Sequence, residues 1–348
     1  MTNGPNNEAG QLPPSQRDLE VLKYRFRLAD MEDPATQAIF KFTESRLPRE
    51  NSGAPAYYKK ARKNDSHAVS ALDPVNIVQM EIKLPSMPTV LTELQTVTSN
   101  ANSSARLVGE VIAKDPSLTA WVLKLVNSPF FGFAVKVDTV TRAVTLLGVE
   151  QIKTLAIGGM LQNMMVRLPA DIIDLDYFWR HSIATALAAQ SIWKLMGREE
   201  GERLFVAGLL HDCGMLALAY TTPDMARSLN SICRATGRMR YQLEQELISF
   251  DHARLGGMLL HRWNLPLPLV MAVLRHHQVE APERYTEAAV VHLADMLAIA
   301  VAGDSESDLV PRLDPEVWNT LGLTIPNINF VADAVMDQLH SFCSLLKI

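Results

Sequence analysis

The sequence predicts an all-α protein made of many short helices. Apolar residues recur every three or four positions along most of the chain, and cap-like Asp-Pro, Ser and Gly signals stand where such stripes begin and end. No segment alternates with the two-residue period of a half-buried strand.

Residues 1–16 are rich in Asn, Gly, Pro and Gln and read as a disordered tail. Leu19, Leu22, Phe26 and Ala29 then share a helical face, and Ile39, Phe40 and Phe42 suggest a second short helix. Leu-Pro-Arg-Glu-Asn-Ser-Gly-Ala-Pro and the charged stretch Lys59 to Asp65 read as a linker, which places a domain boundary near residue 75. The arm of residues 1–75 has two readings, a docking or dimerisation element and a helix packed on the main domain, and the second is preferred.

Beyond it, Met87, Val90, Leu91, Leu94 and Val97 form one stripe, and Leu107, Val108, Val111 and Ile112 the next, with Asn102, Ser103 and Ser104 as cap candidates. Asp115-Pro116 supplies an N-cap and a first-turn proline for the helix through Leu118, Val122, Leu125 and Val126, which Asn127-Ser128-Pro129 stops. Val140 to Leu147 ends at the C-cap candidate Gly148, and a more continuous apolar helix follows from Val149 to Met165. Helices are expected at Phe178–Met196, Leu204–Tyr220, Tyr241–Trp263, Pro268–His277, Thr286–Ala302 and Phe330–Leu346. In the last, Phe330, Val331, Val335, Met336, Leu339 and Phe342 are the expected buried stripe.

The 348 residues, 48% hydrophobic and 20% charged, suffice for one large or two moderate cores. A net charge of -5 gives no basic surplus, so nucleic acid is disfavoured as a partner. The N-terminus lacks a signal-peptide pattern, and His292 and Asp295 interrupt the apolar stretch around 288–302, so no membrane span is expected. Cys213, Cys233 and Cys343 are too few and too far apart for a disulfide framework, which suits a reducing cytoplasm.

The residues that demand an explanation are His211 and Asp212, carried by an apolar run into an interior. With His181, His252, His276, His277 and Asp295 they make a donor set suited to one or two divalent ions of Fe, Mn, Zn or Mg. Each also has a plainer reading. Asp212 could orient His211 or cap a helix, and His181 could be an ordinary buried histidine. Asp251 could pair with Arg254 and leave His252 incidental, while His292 could satisfy Asp295. Successive helical side chains diverge by about 100°, so only one of His276 and His277 is expected to face a given site. Cys213 reads as a small hydrophobe rather than a soft ligand. Neither a Walker-type phosphate loop nor a local Ser-His-Asp arrangement occurs.

Several runs carry a family likeness: Lys83-Leu-Pro-Ser-Met-Pro, Lys114-Asp-Pro-Ser-Leu, Asn127-Ser-Pro-Phe-Phe-Gly, Phe178-Trp-Arg-His-Ser, Gly208-Leu-Leu-His-Asp-Cys-Gly, Asp251-His-Ala-Arg-Leu-Gly-Gly, Trp263-Asn-Leu-Pro and Arg275-His-His. In this order, over about residues 80 to 300, the chain resembles an HDOD domain. HDOD domains are all-helical modules of bacterial signalling proteins, similar to the HD and HD-GYP metal-dependent phosphohydrolases. The resemblance implies a multi-helix HD-like domain over 76–300, completed by helices in 301–348 and preceded by a short helical extension. It implies metal ligands at His181, His211, Asp212 and Asp295, with His252, His276 and His277 added by the HD-GYP pattern. It also implies a regulatory role through a signalling protein partner, with a nucleotide as a candidate ligand and homodimerisation open. Two departures count against cyclic di-GMP hydrolysis. Met215 stands where HD-GYP enzymes carry lysine, and Gln278-Val-Glu-Ala-Pro replaces the Gly-Tyr-Pro signature.

Overall fold

The computed structural model describes residues 16–47, 89–98, 104–128, 131–165, 168–199, 201–302 and 309–346. The expected tail, the linker and the boundary near residue 75 lie outside them, as do Met87, Asn102, Ser103 and Pro129. Every regular element among the described residues is a helix. In chain order they are α1 (Gln16–Arg25), α2 (Pro34–Ser45), α3 (Thr89–Thr98), α4 (Ala105–Ile112), α5 (Pro116–Val126), α6 (Val140–Leu147) and α7 (Val149–Met165). Then follow α8 (Leu175–Leu195), α9 (Gly201–Leu210), α10 (Cys213–Thr221), α11 (Pro223–Thr236), α12 (Arg240–Ile248), α13 (His252–Arg262), α14 (Leu267–Arg275), α15 (Thr286–Ala302), α16 (Pro315–Leu321) and α17 (Ile325–Leu346).

Local chemistry sets many of these limits. Ser104 accepts from the Leu107 amide at the start of α4, and Asp115 accepts from Ser117 and Leu118 before Pro116 opens α5. Asp174 caps α8 through the Tyr177 amide. Gly148, with φ 89°, ends α6.

Helix α8 is the hub, packing against α9, α15 and α17, while α10 crosses α13 and α14 bridges α13, α15 and α9. The early helices α3 to α7 pack on one another and reach this hub through α7 and α9. A continuous hydrophobic core runs from Leu22 in α1 to Phe342 in α17. Arm helices α1 and α2 join it: α2 packs on α17 and α15, Phe26 is buried, and the Val310 amide donates to the Arg25 carbonyl.

Two continuous helices expected from periodicity are each broken in two. Leu204–Tyr220 divides at His211-Asp212, which form a turn between α9 and α10, and Tyr241–Trp263 divides at Ser249 to Asp251, where Ser249 adopts φ 70°. Apolar spacing continues across both breaks, so periodicity alone does not show them. Both breaks deliver site residues. Helix α11 and the short helix α16 were not anticipated, and α17 starts at Ile325 rather than Phe330. Phe330 itself is 60% exposed, because Ile328 and Val331 occupy the inward face there.

Two glycines permit the close crossings that shape the site. A Cβ at Gly208 would lie 2.7 Å from the Ala186 backbone, so α9 rides directly on the small-residue face of α8. At Gly214 it would lie 2.0 Å from the His252 carbonyl oxygen, so α10 lies against the first turn of α13. Gly214→Ala is therefore expected to cost about 1–3 kcal/mol, the usual scale for overpacking. Urea unfolding checks this, and unchanged stability would refute the crossing.

Candidate metal centre

Five segments converge on one buried spot. His181 comes from the second turn of α8, His211 and Asp212 from the α9–α10 turn, and His252 from the first residue of α13. His276 and His277 follow the end of α14, and Asp295 projects from the middle of α15. All are buried except His277, which is partly exposed.

Their polar atoms form overlapping groups, and Asp212 makes contacts on two sides. On one side, His181 Nε2 lies 3.0 Å from Asp295 Oδ1 and 3.2 Å from His211 Nε2, while His211 Nε2 lies 3.3 Å from Asp212 Oδ2. On the other, Asp212 Oδ1 lies 3.1 Å from His252 Nε2 and 3.6 Å from His276 Nε2, and His277 Nε2 lies 2.8 Å from His252 Nε2. Atoms of Asp212, His252, His276 and His277 lie within 4.8 Å of one another, as do those of His181, His211 and Asp212 and those of His211, His276 and Asp295.

The tautomers decide what this arrangement offers. His211 Nδ1 is 2.7 Å from the Gly208 carbonyl and His276 Nδ1 is 2.7 Å from the Val273 carbonyl. A carbonyl oxygen only accepts, so both Nδ1 atoms carry the proton. His252 Nδ1 donates to the buried Glu244 carboxylate at 2.6 Å. In the neutral ring each Nε2 is then a bare lone pair, and these lone pairs face carboxylate oxygens and one another. Such a concentration of electron pairs requires cations, either protons or metal ions. Among the described residues His276 Nε2 and Asp212 Oδ1 have no hydrogen-bond partner of good geometry, which leaves their lone pairs open to a metal ion. Nitrogen and oxygen donors in this mixture fit Fe, Mn or Zn.

Some of the plainer readings hold and others do not: Asp212 does lie against His211, at 3.3 Å, and His181 is buried. Asp212 precedes α10 without capping it. Asp251 caps α13 through the Arg254 amide and accepts from Gln245. His292 ignores Asp295 and donates from Nδ1 to the His276 carbonyl, holding that backbone in place. His276 and His277 both join the group with Asp212 and His252, contrary to the expected divergence, although His276 keeps right-handed helical dihedrals of φ -62° and ψ -22°.

Sequence reasoning missed Glu244 and Tyr241. Glu244 is wholly buried on α12, beside Leu243 and one turn before Ile248, so a carboxylate on an apolar stripe was the available signal. Tyr241 stacks on His277, with centroids 4.4 Å apart and planes 18° apart. Cys213 is buried, and desolvation together with neighbouring Asp212 pushes its thiol far up, which keeps it protonated.

In metal-free protein the charges must balance by protonation. Burial opposes the charged ring of His211, but Asp212 and Asp295 outweigh it and raise its pKa from 6.5 to about 10. Burial likewise works against ionisation of Asp212 and Asp295, yet the histidines hold both well below the usual carboxylate range. A raised histidine contributes stability that is complete below its unfolded value and lost as pH rises through its folded value. Metal-free protein should therefore lose thermal stability between pH 6.5 and about 10, and saturating metal should suppress that loss by taking the place of the proton. A flat metal-free profile across this interval would contradict the cluster's charge balance.

The HDOD domain family matches residues 84–279, more than half of the chain. The chain belongs to the HDOD domain family. This HDOD chain is 26% identical over 238 residues to an uncharacterised protein of Treponema pallidum (strain Nichols), covering 66% of itself and 45% of that relative. It thus spans less than half the length of that curated relative. Among solved structures, it resembles a candidate signal transduction protein from Marinobacter aquaeolei VT8 with a TM-score of 0.58 and 19% identity, over 94% of this chain and 69% of that one. A candidate phosphohydrolase from Shewanella amazonensis SB2B gives 0.53 and 23%, over 74% and 98% of the two chains. An HDOD domain protein of unknown function from Geobacter sulfurreducens gives 0.51 and 20%, over 75% and 98%. At these identities the likeness establishes the helical fold and no more.

One stretch among the described residues, 201–221, is long and apolar enough to cross a membrane. In the HDOD fold it is α9 and α10, mostly buried and broken by the His211-Asp212 turn.

Proposed function

We propose that this HDOD protein is a bacterial signal-transduction module that acts through protein–protein contacts and holds a divalent metal pair in its His/Asp cluster. One observation carries the metal part: imidazoles fixed by their Nδ1 protons turn bare Nε2 atoms toward shared carboxylates. His181, His211, Asp212 and Asp295 would hold one ion, and Asp212, His252, His276 and His277 the other. The regulatory part rests on two positions. Met215 brings a thioether where a cation would stabilise phosphate charge, and Gln278-Val279-Glu280-Ala281-Pro282 follows the histidine pair. A cytoplasmic setting agrees with three buried, unpaired cysteines.

A second reading, metal-dependent phosphohydrolase, is favoured by Asp212, whose two oxygens face the two sets of histidines. When bound, a metal pair lowers the pKa of water and polarises a phosphoryl oxygen. In that reading a nucleotide or cyclic dinucleotide is the substrate.

Metal analysis of purified protein, combined with hydrolysis assays on a generic phosphodiester, cyclic di-GMP and nucleotides, separates the two. Metal without turnover supports the signalling reading. Turnover abolished by His211→Ala and Asp212→Ala would overturn it in favour of the hydrolase.

A further inference from the structure

We infer that Glu244 is a positioning residue for the half-site of Asp212, His252, His276 and His277, locking His252 so that it offers Nε2 to the metal. The inference rests on the metal reading above and extends it to a residue outside the cluster.

Glu244 has no solvent exposure, so its carboxylate must be matched inside the fold. Its Oε2 accepts twice from one residue, from the His252 amide at 2.8 Å and from His252 Nδ1 at 2.6 Å. The first bond anchors the opening residue of α13, and the second fixes the ring about its side-chain torsions. Rotating the imidazole by half a turn would place a carbon against the carboxylate and forfeit the shorter bond. Oε1 is occupied by Arg240 Nε at 2.7 Å, and Arg240 also reaches Asn230 Oδ1. Asn230 in turn donates to the Ile172 carbonyl at 2.6 Å. A connected polar path therefore runs from the segment before α8, through α11 and α12, to His252.

Among the described residues the other half-site has no such device. His211 is fixed by a backbone carbonyl, and His181 Nδ1 has no hydrogen-bond partner. A carboxylate behind a ligating histidine fixes its tautomer and raises its basicity, and losing such a partner commonly weakens metal binding about 10- to 100-fold. Glu244 acts on one half-site only.

The test titrates Mn2+ or Zn2+ into the full-length protein and reads stoichiometry and affinity by calorimetry. Glu244→Gln should keep one ion at wild-type affinity and bind the second about 10- to 100-fold more weakly. Arg240→Gln, which leaves the Glu244–His252 bonds in place, should hold both ions within a few-fold of wild type. Wild-type affinities in Glu244→Gln, equal weakening of both ions, or an Arg240→Gln loss as large as that of Glu244→Gln would each overturn the assignment. Should Glu244→Gln not fold, nitrogen-15 NMR of zinc-loaded wild-type protein decides, with His252→Gln identifying the signal. His252 should be protonated on Nδ1 and metal-bound through Nε2, and the reverse attachment would overturn the inference. Wild-type protein that takes up no metal would overturn both this and the metal reading, whereas two ions unaffected by Glu244→Gln would overturn this inference alone.

Discussion

Asp212→Ala protein should purify without bound metal, whereas Asp295→Ala should keep the ion held by Asp212, His252, His276 and His277. The difference follows from position. Asp212 turns Oδ2 toward His211 and Oδ1 toward His252 and His276, so it belongs to both half-sites, while Asp295 pairs with His181 and His211 and reaches the other half-site only near His276. Truncating Asp212 also leaves the charged histidines of metal-free protein without their shared counter-ion. Breaking a buried pair in this way costs about 3–5 kcal/mol. Elemental analysis with an unfolding curve on each variant measures both effects. Retention of two ions by Asp212→Ala would show that the carboxylate does not bridge.

Stripping metal from wild-type protein should produce the other large change. An ion that binds only the folded chain stabilises it by about 2.7 kcal/mol per site when supplied at one hundred times its dissociation constant. At about 2–4 °C per kcal/mol for a domain of this size, each site is worth roughly 5–11 °C in Tm. Chelator-treated protein should melt lower by that amount for each ion removed and recover on adding Mn2+ or Zn2+. The Asp212→Ala variant should show no metal-dependent shift, which separates specific binding from ions on surface carboxylates.

The helical class was legible because it rests on local chemistry. Asp115-Pro116, Ser104 and Gly148 act on their immediate neighbours, and each does what its residue type suggests. What periodicity could not show were the two breaks, at 211–212 and 249–251. Apolar spacing continues through them because each flanking helix buries an apolar face, and the turns sit at tertiary crossings such as Gly214 against His252. The site followed the same division. Histidines and carboxylates on apolar faces announced themselves, and all seven candidates converge on one buried cluster. Glu244 did not, because its significance lies in a bond to His252 across the break between α12 and α13. The plainer role for His292 failed for a related reason, since its partner is a carbonyl on another segment rather than the carboxylate one turn away.

Anomalous diffraction from crystals grown with Mn2+ and recorded above the manganese edge tests the central claim most directly. Two strong peaks are predicted inside the protein, one among His181, His211, Asp212 and Asp295 and the other among Asp212, His252, His276 and His277. The absence of any peak in the cluster, with manganese found only on exposed carboxylates, would contradict it.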